Sequence, residues 1–188
     1  MNSKRPSKLN LPNAPKPSNL LLQQASPVWD WRAVEKVDEA VGRFSVSCKF
    51  NNVGDQFEWS FTSLYGPNLN KRRRKMWEEL IRLINWWDVP WCLGGDFNII
   101  RFPSVRLGAA SCTWAMYGFS DFIFFHGLMD IPMEGGLYTW SNISSTFRLD
   151  RLLFSPLLAD HFTLFSQRRL SRVLSNHYPI LLGRATGR

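Results

Sequence analysis

The sequence lacks any long apolar run and contains little cysteine. No uninterrupted apolar stretch approaches the roughly 18 residues that a membrane-spanning helix needs, so no membrane association is predicted. The N-terminus also lacks the apolar segment of a secretory signal. Cys48, Cys92 and Cys112 are far apart and form no Cys-x-x-Cys pair. This spacing argues against a disulfide framework or a zinc site. It favours reduced, buried thiols of an intracellular protein, nuclear or cytoplasmic.

Acidic residues are absent from the first 27 residues, which contain five prolines and four basic side chains. Such a segment cannot bury enough apolar surface to form a core, so residues 1–28 are predicted to be a flexible basic arm. A solvated tail is the favoured interpretation. A contact with nucleic-acid phosphate is one alternative, and an organelle transit peptide, which the single arginine disfavours, is the other.

The remainder has the composition of one folded domain. In the 188 residues, hydrophobic residues make up 45% and charged residues 20%, which is typical of a globular chain. A formal net charge of +8 and a pI near 9.8 favour an anionic partner, most simply nucleic acid. Nothing in the sequence indicates an obligate protein partner.

Periodicity predicts a mixed α/β fold with a layered sheet. Residues 43–50 and 57–65 alternate apolar and polar side chains and predict a β-hairpin. A helix is predicted after Asn68 or Asn70, either of which could cap it. Its apolar positions recur at helical spacing: Trp77, Leu80, Ile81, Ile84 and Trp87. The other predicted elements are a strand over 89–100, a helix over 111–126 that buries Met116, Phe119, Phe122 and Ile123, strands over 137–141, 148–154, 169–174 and 178–182, and a helical turn over 156–161.

The most informative stretch is Gly94-Gly95-Asp96-Phe97-Asn98, which follows a short apolar run. Paired glycines allow close backbone approach, and a buried strand would hold Asp96 and Asn98 rigidly at its end. A carboxylate and an amide placed together suit activating a water and binding a phosphate oxygen. An ordinary turn between strands is the alternative for this stretch taken alone.

A basic run, Lys71 to Lys75, falls at the predicted start of the first helix. Positive charge there opposes the helix dipole, which suggests another use. Arg72, Arg73 and Arg74 are therefore candidates for phosphate contact. A solvated basic turn is the alternative.

Five polar sites stand at predicted strand ends, and each has an ordinary explanation when taken alone. Tyr65 could be a turn residue, Asp150 could pair with a neighbouring arginine, and His177 could be a loop histidine. The sites, in chain order, are Tyr65, Asp96 with Asn98, Asn142, Asp150, and Asn176 with His177.

Taken in order, the motifs resemble one superfamily. They are Tyr-Gly-Pro-Asn, Gly-Gly-Asp-Phe-Asn, Tyr-Thr-Trp-Ser-Asn, Leu-Asp-Arg-x-Leu and Ser-Asn-His-x-Pro. This series resembles the endonuclease/exonuclease/phosphatase superfamily, and most narrowly the apurinic-endonuclease-type domain of plant LINE-type retrotransposon polyproteins. The resemblance covers residues 37–182. It implies a DNase I-like layered β-sandwich with flanking helices, placed here over residues 37–184.

The resemblance also implies roles for the strand-end residues. Asp96 would deprotonate the attacking water, Asn98 would hold a phosphate oxygen, and Tyr65 would hydrogen-bond the scissile phosphate. His177 would stabilise the developing charge, with Asp150 fixing its tautomer, and Asn142 would contact substrate. Mg²⁺ is the cofactor and DNA the substrate that the resemblance implies.

Two departures from the family pattern weaken the expected activity. Asn176 stands where the family has Asp, which removes a negative charge beside His177. The family's catalytic Asn and metal-binding Glu precede the first hairpin, where Asn19 and Glu35 lie in no recognisable strand-end motif. The main metal ligand is therefore unidentified. The N-terminal half of the layered sheet is predicted to be missing, leaving an incomplete fold prone to self-association.

Three functions follow from these observations. The first is a retrotransposon-derived, Mg²⁺-dependent endonuclease, with weak or no activity expected in this chain. The second is a non-catalytic remnant that retains nucleic-acid affinity. The third, which the LINE-like context disfavours, is a phosphatase of the same superfamily.

Overall fold

A computed structural model describes residues 32–103, 112–163, 165–172 and 175–184. The predicted basic arm over residues 1–28 lies outside these ranges. The strands are β1 Val34–Val41, β2 Ser45–Asn52, β3 Glu58–Tyr65, β4 Trp91–Asp96, β5 Met129–Asp130, β6 Met133–Glu134, β7 Trp140–Ser141, β8 Thr146–Phe147, β9 Asp150–Phe154, β10 Phe165–Arg169 and β11 Ile180–Arg184. The helices are α1 Asn70–Trp87, α2 Trp114–Phe125 and α3 Pro156–His161.

A six-stranded sheet in the order β1-β2-β3-β4-β9-β5 is the centre of the fold. Its neighbours pair antiparallel except β3 and β4, which run parallel and are connected through α1. A smaller sheet has the order β11-β10-β6, and β7 pairs with β8. This arrangement confirms the predicted mixed α/β class.

Both faces of the six-stranded sheet are covered, because side chains alternate along each strand. On one face, Leu93 and Leu153 pack with the buried sides of α1 and α2. On the other face, Cys92, Leu152 and Phe154 pack with Leu158 of α3. The two apolar clusters make β4 and β9 the most enclosed strands. Their ends are therefore firm supports for polar side chains.

Helix α1 differs in detail from the sequence prediction. Its N-cap is Leu69, which makes no side-chain capping bond, so neither Asn68 nor Asn70 is the cap. Asp88 ends the helix in the left-handed conformation. Of the predicted apolar positions, Leu80 is fully buried, whereas the others are partly buried: Trp77, Ile81, Ile84 and Trp87. The other fully buried apolar residues of α1 are Met76 and Leu83.

Helix α2 agrees closely with its prediction. Its buried residues are the four named from periodicity, Met116, Phe119, Phe122 and Ile123. Thr113 caps the helix through its hydroxyl, which accepts a hydrogen bond from the Met116 backbone N–H. None of the helices in the described ranges is both long and apolar enough to cross a membrane.

Several strand boundaries and one thiol differ from the predictions. Strand β1 was not predicted, because its exposed acids and lysine hide the alternation. The 137–141 strand is reduced to β7. The last two predicted strands, over 169–174 and 178–182, correspond to β10 and β11. Strand β10 ends at Arg169, where the predicted strand begins. Residues 173–174 lie outside the described ranges. Cys48 and Cys92 are buried as predicted, whereas Cys112 is exposed.

Candidate active site

Gly95 allows the end of β4 to lie close to the backbone of β3. Gly95 has φ of +134°, and a Cβ there would lie 2.1 Å from the carbonyl oxygen of Leu64. A side chain at this position would push β3 and β4 apart. In the register that results, Asp96 lies opposite Tyr65 on β3 and Asp150 on β9. Sheet pairing therefore collects three of the predicted site residues in one row.

Asp96, Asp150 and His177 meet in a cavity of about 340 Å³ that Tyr65 also lines. The Nδ1 atom of His177 lies 3.0 Å from Oδ2 of Asp150, a hydrogen bond. Its Nε2 atom lies 3.9 Å from Oδ2 of Asp96, beyond hydrogen-bonding distance. His177 is thus fixed from one side by Asp150 and directs its other nitrogen to the space beside Asp96.

Burial sets the protonation of Asp96. The side chain is buried, and this loss of hydration, with a smaller contribution from Asp150, raises its pKa from 3.8 to about 6. A backbone N–H from Asn98 and the nearby His177 act in the opposite direction. Oδ1 accepts that N–H, while the buried Oδ2 has no hydrogen-bond partner among the described residues. The free oxygen is therefore an available base or ligand atom.

Asp150 holds His177 and is itself held in place. Its hydrogen bond raises the pKa of His177, outweighing the effect of partial burial. The hydroxyl of the buried Thr139 accepts the backbone N–H groups of Leu149 and Asp150 at 3.0 and 2.9 Å. The carbonyl of Thr139 also accepts the N–H of Tyr178.

Thr139 consequently ties the start of β9 to the segment that carries His177. Its position within Tyr-Thr-Trp-Ser-Asn was the available signal. The sequence alone assigned the residue no role.

Asn98 stabilises the loop that follows β4. It has φ of +51°, and its side-chain amide donates to the carbonyl of Gly66 at 2.7 Å. The N–H of Gly66 in turn donates to the carbonyl of Asp96. These bonds fix the loops after β3 and β4 against each other. The predicted phosphate contact by Asn98 stays a prediction.

The three arginines of the basic run lie in different surroundings. Arg73 donates to the carbonyls of Pro67 and Asn98, so it clamps the same two loops. Arg74 pairs with Glu78 at 3.1 Å, and Arg72 is exposed. None of the three lines the cavity that contains Asp96. A phosphate contact from Arg72 or Arg74 would lie on the surface of α1.

Asn142 and Asn176 lie outside the cavity lining. Asn142 is exposed, and its side-chain oxygen accepts the N–H groups of Ser144 and Ser145, closing the turn between β7 and β8. Asn176 is exposed, and its carbonyl accepts the N–H of Ser141. Tyr65 is 42% exposed at the cavity rim. Of the predicted site residues, the structure thus brings together Tyr65, Asp96, Asp150 and His177.

Within the described residues, one group of acids and histidine could hold a metal ion: Asp96, Asp150 and His177. One ligand atom from each lies within 4.8 Å of the others. The unpartnered Oδ2 of Asp96 fits a cation, and two carboxylates suit a hard one. Glu35, considered from the sequence, is exposed on β1 and lines no part of this cavity.

Comparison with solved structures shows the fold. The endonuclease domain of the telomere-specific non-LTR retrotransposon TRAS1 is similar at a TM-score of 0.63 and 16% identity, over 77% of this chain. An AP endonuclease from Leishmania major gives 0.55 and 16% over 85% of this chain. A mannosyl-6-phosphatase from Bacteroides thetaiotaomicron gives 0.51 and 17% over 82%. The chain therefore has the fold of endonuclease/exonuclease/phosphatase proteins, the DNase I-like fold.

The likeness is partial in length and low in identity. This chain spans 63% of the TRAS1 domain, 60% of the Leishmania enzyme and 68% of the Bacteroides phosphatase. No family model matches the sequence, and no curated protein matches it.

Proposed function

We propose that this chain is a retrotransposon-type endonuclease domain that hydrolyses phosphodiester bonds in DNA with the help of Mg²⁺, at low efficiency. The observation that carries the proposal is the Asp96–His177–Asp150 group in its cavity. The ordered sequence motifs and the likeness to a retrotransposon endonuclease support the LINE-type origin. The positive net charge suits a polyanionic substrate.

Asp96 would act as the base toward water. Above pH 6 it is mostly ionised, and its raised pKa makes it a stronger base than an ordinary carboxylate. The unpartnered Oδ2 has no competing hydrogen bond. Oδ2 lies 3.9 Å from Nε2 of His177. A base and a hydrogen-bond donor therefore face the same small space.

His177 would stabilise negative charge on the phosphate oxygens. The hydrogen bond with Asp150 at Nδ1 raises the pKa of His177 and so favours the imidazolium form, which has an N–H at Nε2 to donate. Thr139 fixes the backbone of Asp150 and thereby the direction of the ring. Tyr65 at the rim supplies a hydroxyl to the same space.

Asp150 would be the carboxylate ligand of the divalent cation, which leaves Oδ2 of Asp96 to accept the proton from water. When bound, the cation would neutralise charge that develops on the phosphate. No glutamate lines the cavity among the described residues. A site with few carboxylates binds Mg²⁺ weakly, so we expect slow turnover and dependence on high metal concentration.

Nicking of supercoiled plasmid tests the proposal. We expect Mg²⁺-dependent nicking that is abolished in the Asp96→Ala, His177→Ala double variant and strengthened in Asn176→Asp. An Asp121→Asn variant, altered at an exposed carboxyl of α2, is the matched control. Nicking that persists in the double variant would contradict the assignment to this cavity.

The second candidate is a non-catalytic nucleic-acid-binding remnant. It is favoured by the exposed basic side chains at the start of α1, Lys71, Arg72, Arg74 and Lys75. Under this hypothesis the plasmid stays intact with every variant. Binding still occurs, and log K falls as log[salt] rises. The same samples therefore separate the two candidates.

A further inference from the structure

A compact cluster of arginines surrounds a single carboxylate beside β9. Arg148 donates to Oδ1 of Asp130 at 2.9 Å, and Arg151 donates to Oδ2. The guanidinium of Arg101 lies 3.7 Å from the same Oδ2. The side chains of Asp130, Arg148 and Arg101 are 11%, 14% and 22% exposed, and Arg151 is 1% exposed. We refer to Arg101, Asp130, Arg148 and Arg151 as the Asp130 arginine cluster.

Within the described ranges, three guanidinium groups face the one carboxylate of Asp130, which leaves two positive charges uncompensated in a mostly buried place. Burying an unpaired charge is costly. Loss of hydration, with repulsion from Arg148 and Arg101, lowers the pKa of Arg151 to about 10 even though Asp130 raises it. Phe119 of α2 packs against the Arg151 guanidinium at 5.8 Å, so this neighbour brings no negative charge.

Hydrogen-bond donors in the cluster are also unused. Among the residues that the structure describes, the buried Nε and Nη2 atoms of Arg151 have no hydrogen-bond partner, nor do the Nε atoms of Arg101 and Arg148. Buried donors normally have acceptors, so acceptors for these arginine nitrogens are missing in the part of the chain that is described. Residues 104–111, which follow the segment of Arg101, have the sequence Ser-Val-Arg-Leu-Gly-Ala-Ala-Ser and contain no acid. They cannot supply the missing negative charge.

We propose that the Asp130 arginine cluster is a binding site for a small oxyanion of the phosphate class. Guanidinium groups present paired donors that match tetrahedral oxyanions. The ligand would accept from the unused nitrogens and balance the excess charge. Because Arg151 is buried and only Arg101 and Arg148 reach partial exposure, the site takes a free phosphate ion or a terminal phosphomonoester. An internal phosphodiester of a polymer is too large.

This site is separate from the candidate active site. Asp150 and Arg151 are neighbours on β9, and side chains alternate between the two faces of a sheet. Asp150 reaches His177 in the cavity, whereas Arg151 reaches Asp130 and Phe119 on the face covered by α2. The proposal therefore does not depend on phosphodiester hydrolysis.

Thermal unfolding of the full chain tests the proposal. Inorganic phosphate is titrated at constant ionic strength against chloride, because a ligand that binds the folded state raises the midpoint in a saturable way. We expect saturable stabilisation by phosphate and at least tenfold weaker apparent affinity in Arg101→Gln and Arg151→Met. If Arg151→Met does not fold, Arg101→Gln carries the test, because its 3.7 Å contact with Asp130 is the longest of the three.

Two control variants separate this site from other phosphate-binding places. His177→Ala, altered in the catalytic cavity, should retain the stabilisation. Arg74→Gln, altered at an exposed arginine of α1, should retain it as well. Loss of the effect in His177→Ala with retention in Arg101→Gln would place phosphate in the cavity and overturn the proposal.

The ligand's source is resolved with a 5′-phosphorylated dinucleotide and its unphosphorylated counterpart. Stabilisation by phosphate alone assigns the free ion, and stabilisation by the phosphorylated dinucleotide as well assigns a terminal phosphate; both support the proposal. Equal stabilisation by chloride or acetate would overturn it. A rise of the unfolding midpoint that does not saturate with phosphate would mean an adventitious ion only, and would overturn it as well.

Discussion

At the scale of a single residue, the burial of Asp96 has opposite effects on its basicity and on the stability of the fold. Its burial at the end of β4 makes it a better base, because the ionised form has lost hydration. The same burial destabilises the folded chain whenever the carboxyl is ionised. A carboxyl whose pKa rises on folding contributes most to stability below pH 4. That contribution is lost as the pH rises to about 6.

Asp96→Asn should therefore stabilise the metal-free protein at pH 8. The change from 3.8 to about 6 corresponds to at most about 3 kcal/mol, and at pH 3.5 the difference should vanish. Urea unfolding in EDTA at the two pH values measures the effect. Asp121→Asn, at an exposed carboxyl, is the control and should be near neutral at both. A variant less stable than the parent at pH 8 would contradict this account.

At the scale of elements, Glu79 connects α1 to the turn between β1 and β2. The carboxylate is 4% exposed and accepts the backbone N–H groups of Arg43 and Phe44 and the hydroxyl of Ser45. A Cβ at Gly42 would lie 2.1 Å from the carboxylate and would displace it from these donors. One buried acid thus satisfies three donors where β1 turns into β2.

Glu79→Ala should cost about 3 kcal/mol of unfolding free energy, because it leaves two buried donors and the half-buried N–H of Arg43 without an acceptor. The neighbouring Glu78 offers a matched control. It is exposed and pairs only with Arg74, so Glu78→Ala should change stability by less than about 0.5 kcal/mol. Equilibrium urea unfolding compares the two variants. Equal losses of unfolding free energy in the two variants would show that the buried hydrogen bonds of Glu79 do not stabilise the contact between α1 and the β1–β2 turn.

At the scale of the whole molecule, a large aromatic surface is exposed on and beside α2. Trp114, Phe124 and Phe125 are 88%, 79% and 78% exposed, and Tyr117 is 54% exposed. Exposed apolar patches of this kind promote association. Within the described part of the chain, β1 is an edge of the six-stranded sheet, and edge strands can pair with another chain.

We expect concentration-dependent self-association in sedimentation velocity. The Phe124→Lys, Phe125→Lys double variant should shift the distribution toward monomer, since charge replaces apolar surface. Leu157→Lys, a single change at an exposed leucine of α3, should have little effect. A monomer at all concentrations in the parent protein would contradict the expectation.

Much of the local structure followed from local pattern. Helix α2 could be predicted down to its four buried residues because a helix against a core repeats with fixed period. The hairpin of β2 and β3 was equally accessible, since its strands alternate and its turn is polar. Strand β1 was not, because only its pairing with β2 identifies it. The role of Arg73 could not be predicted either, since it donates to backbone carbonyls, and the sequence does not show which carbonyls lie nearby.

The sequence by itself determined the mixed α/β class and the chain positions at which Tyr65, Asp96, Asp150 and His177 occur, since strand ends and turns are encoded by short stretches. Only the tertiary structure decided that these residues share a cavity, because strand order and register bring together residues up to 112 positions apart. It also decided the burial of Glu79 and the excess of arginines around Asp130. Burial and hydrogen-bond partners depend on what lies across a face, which local sequence does not specify.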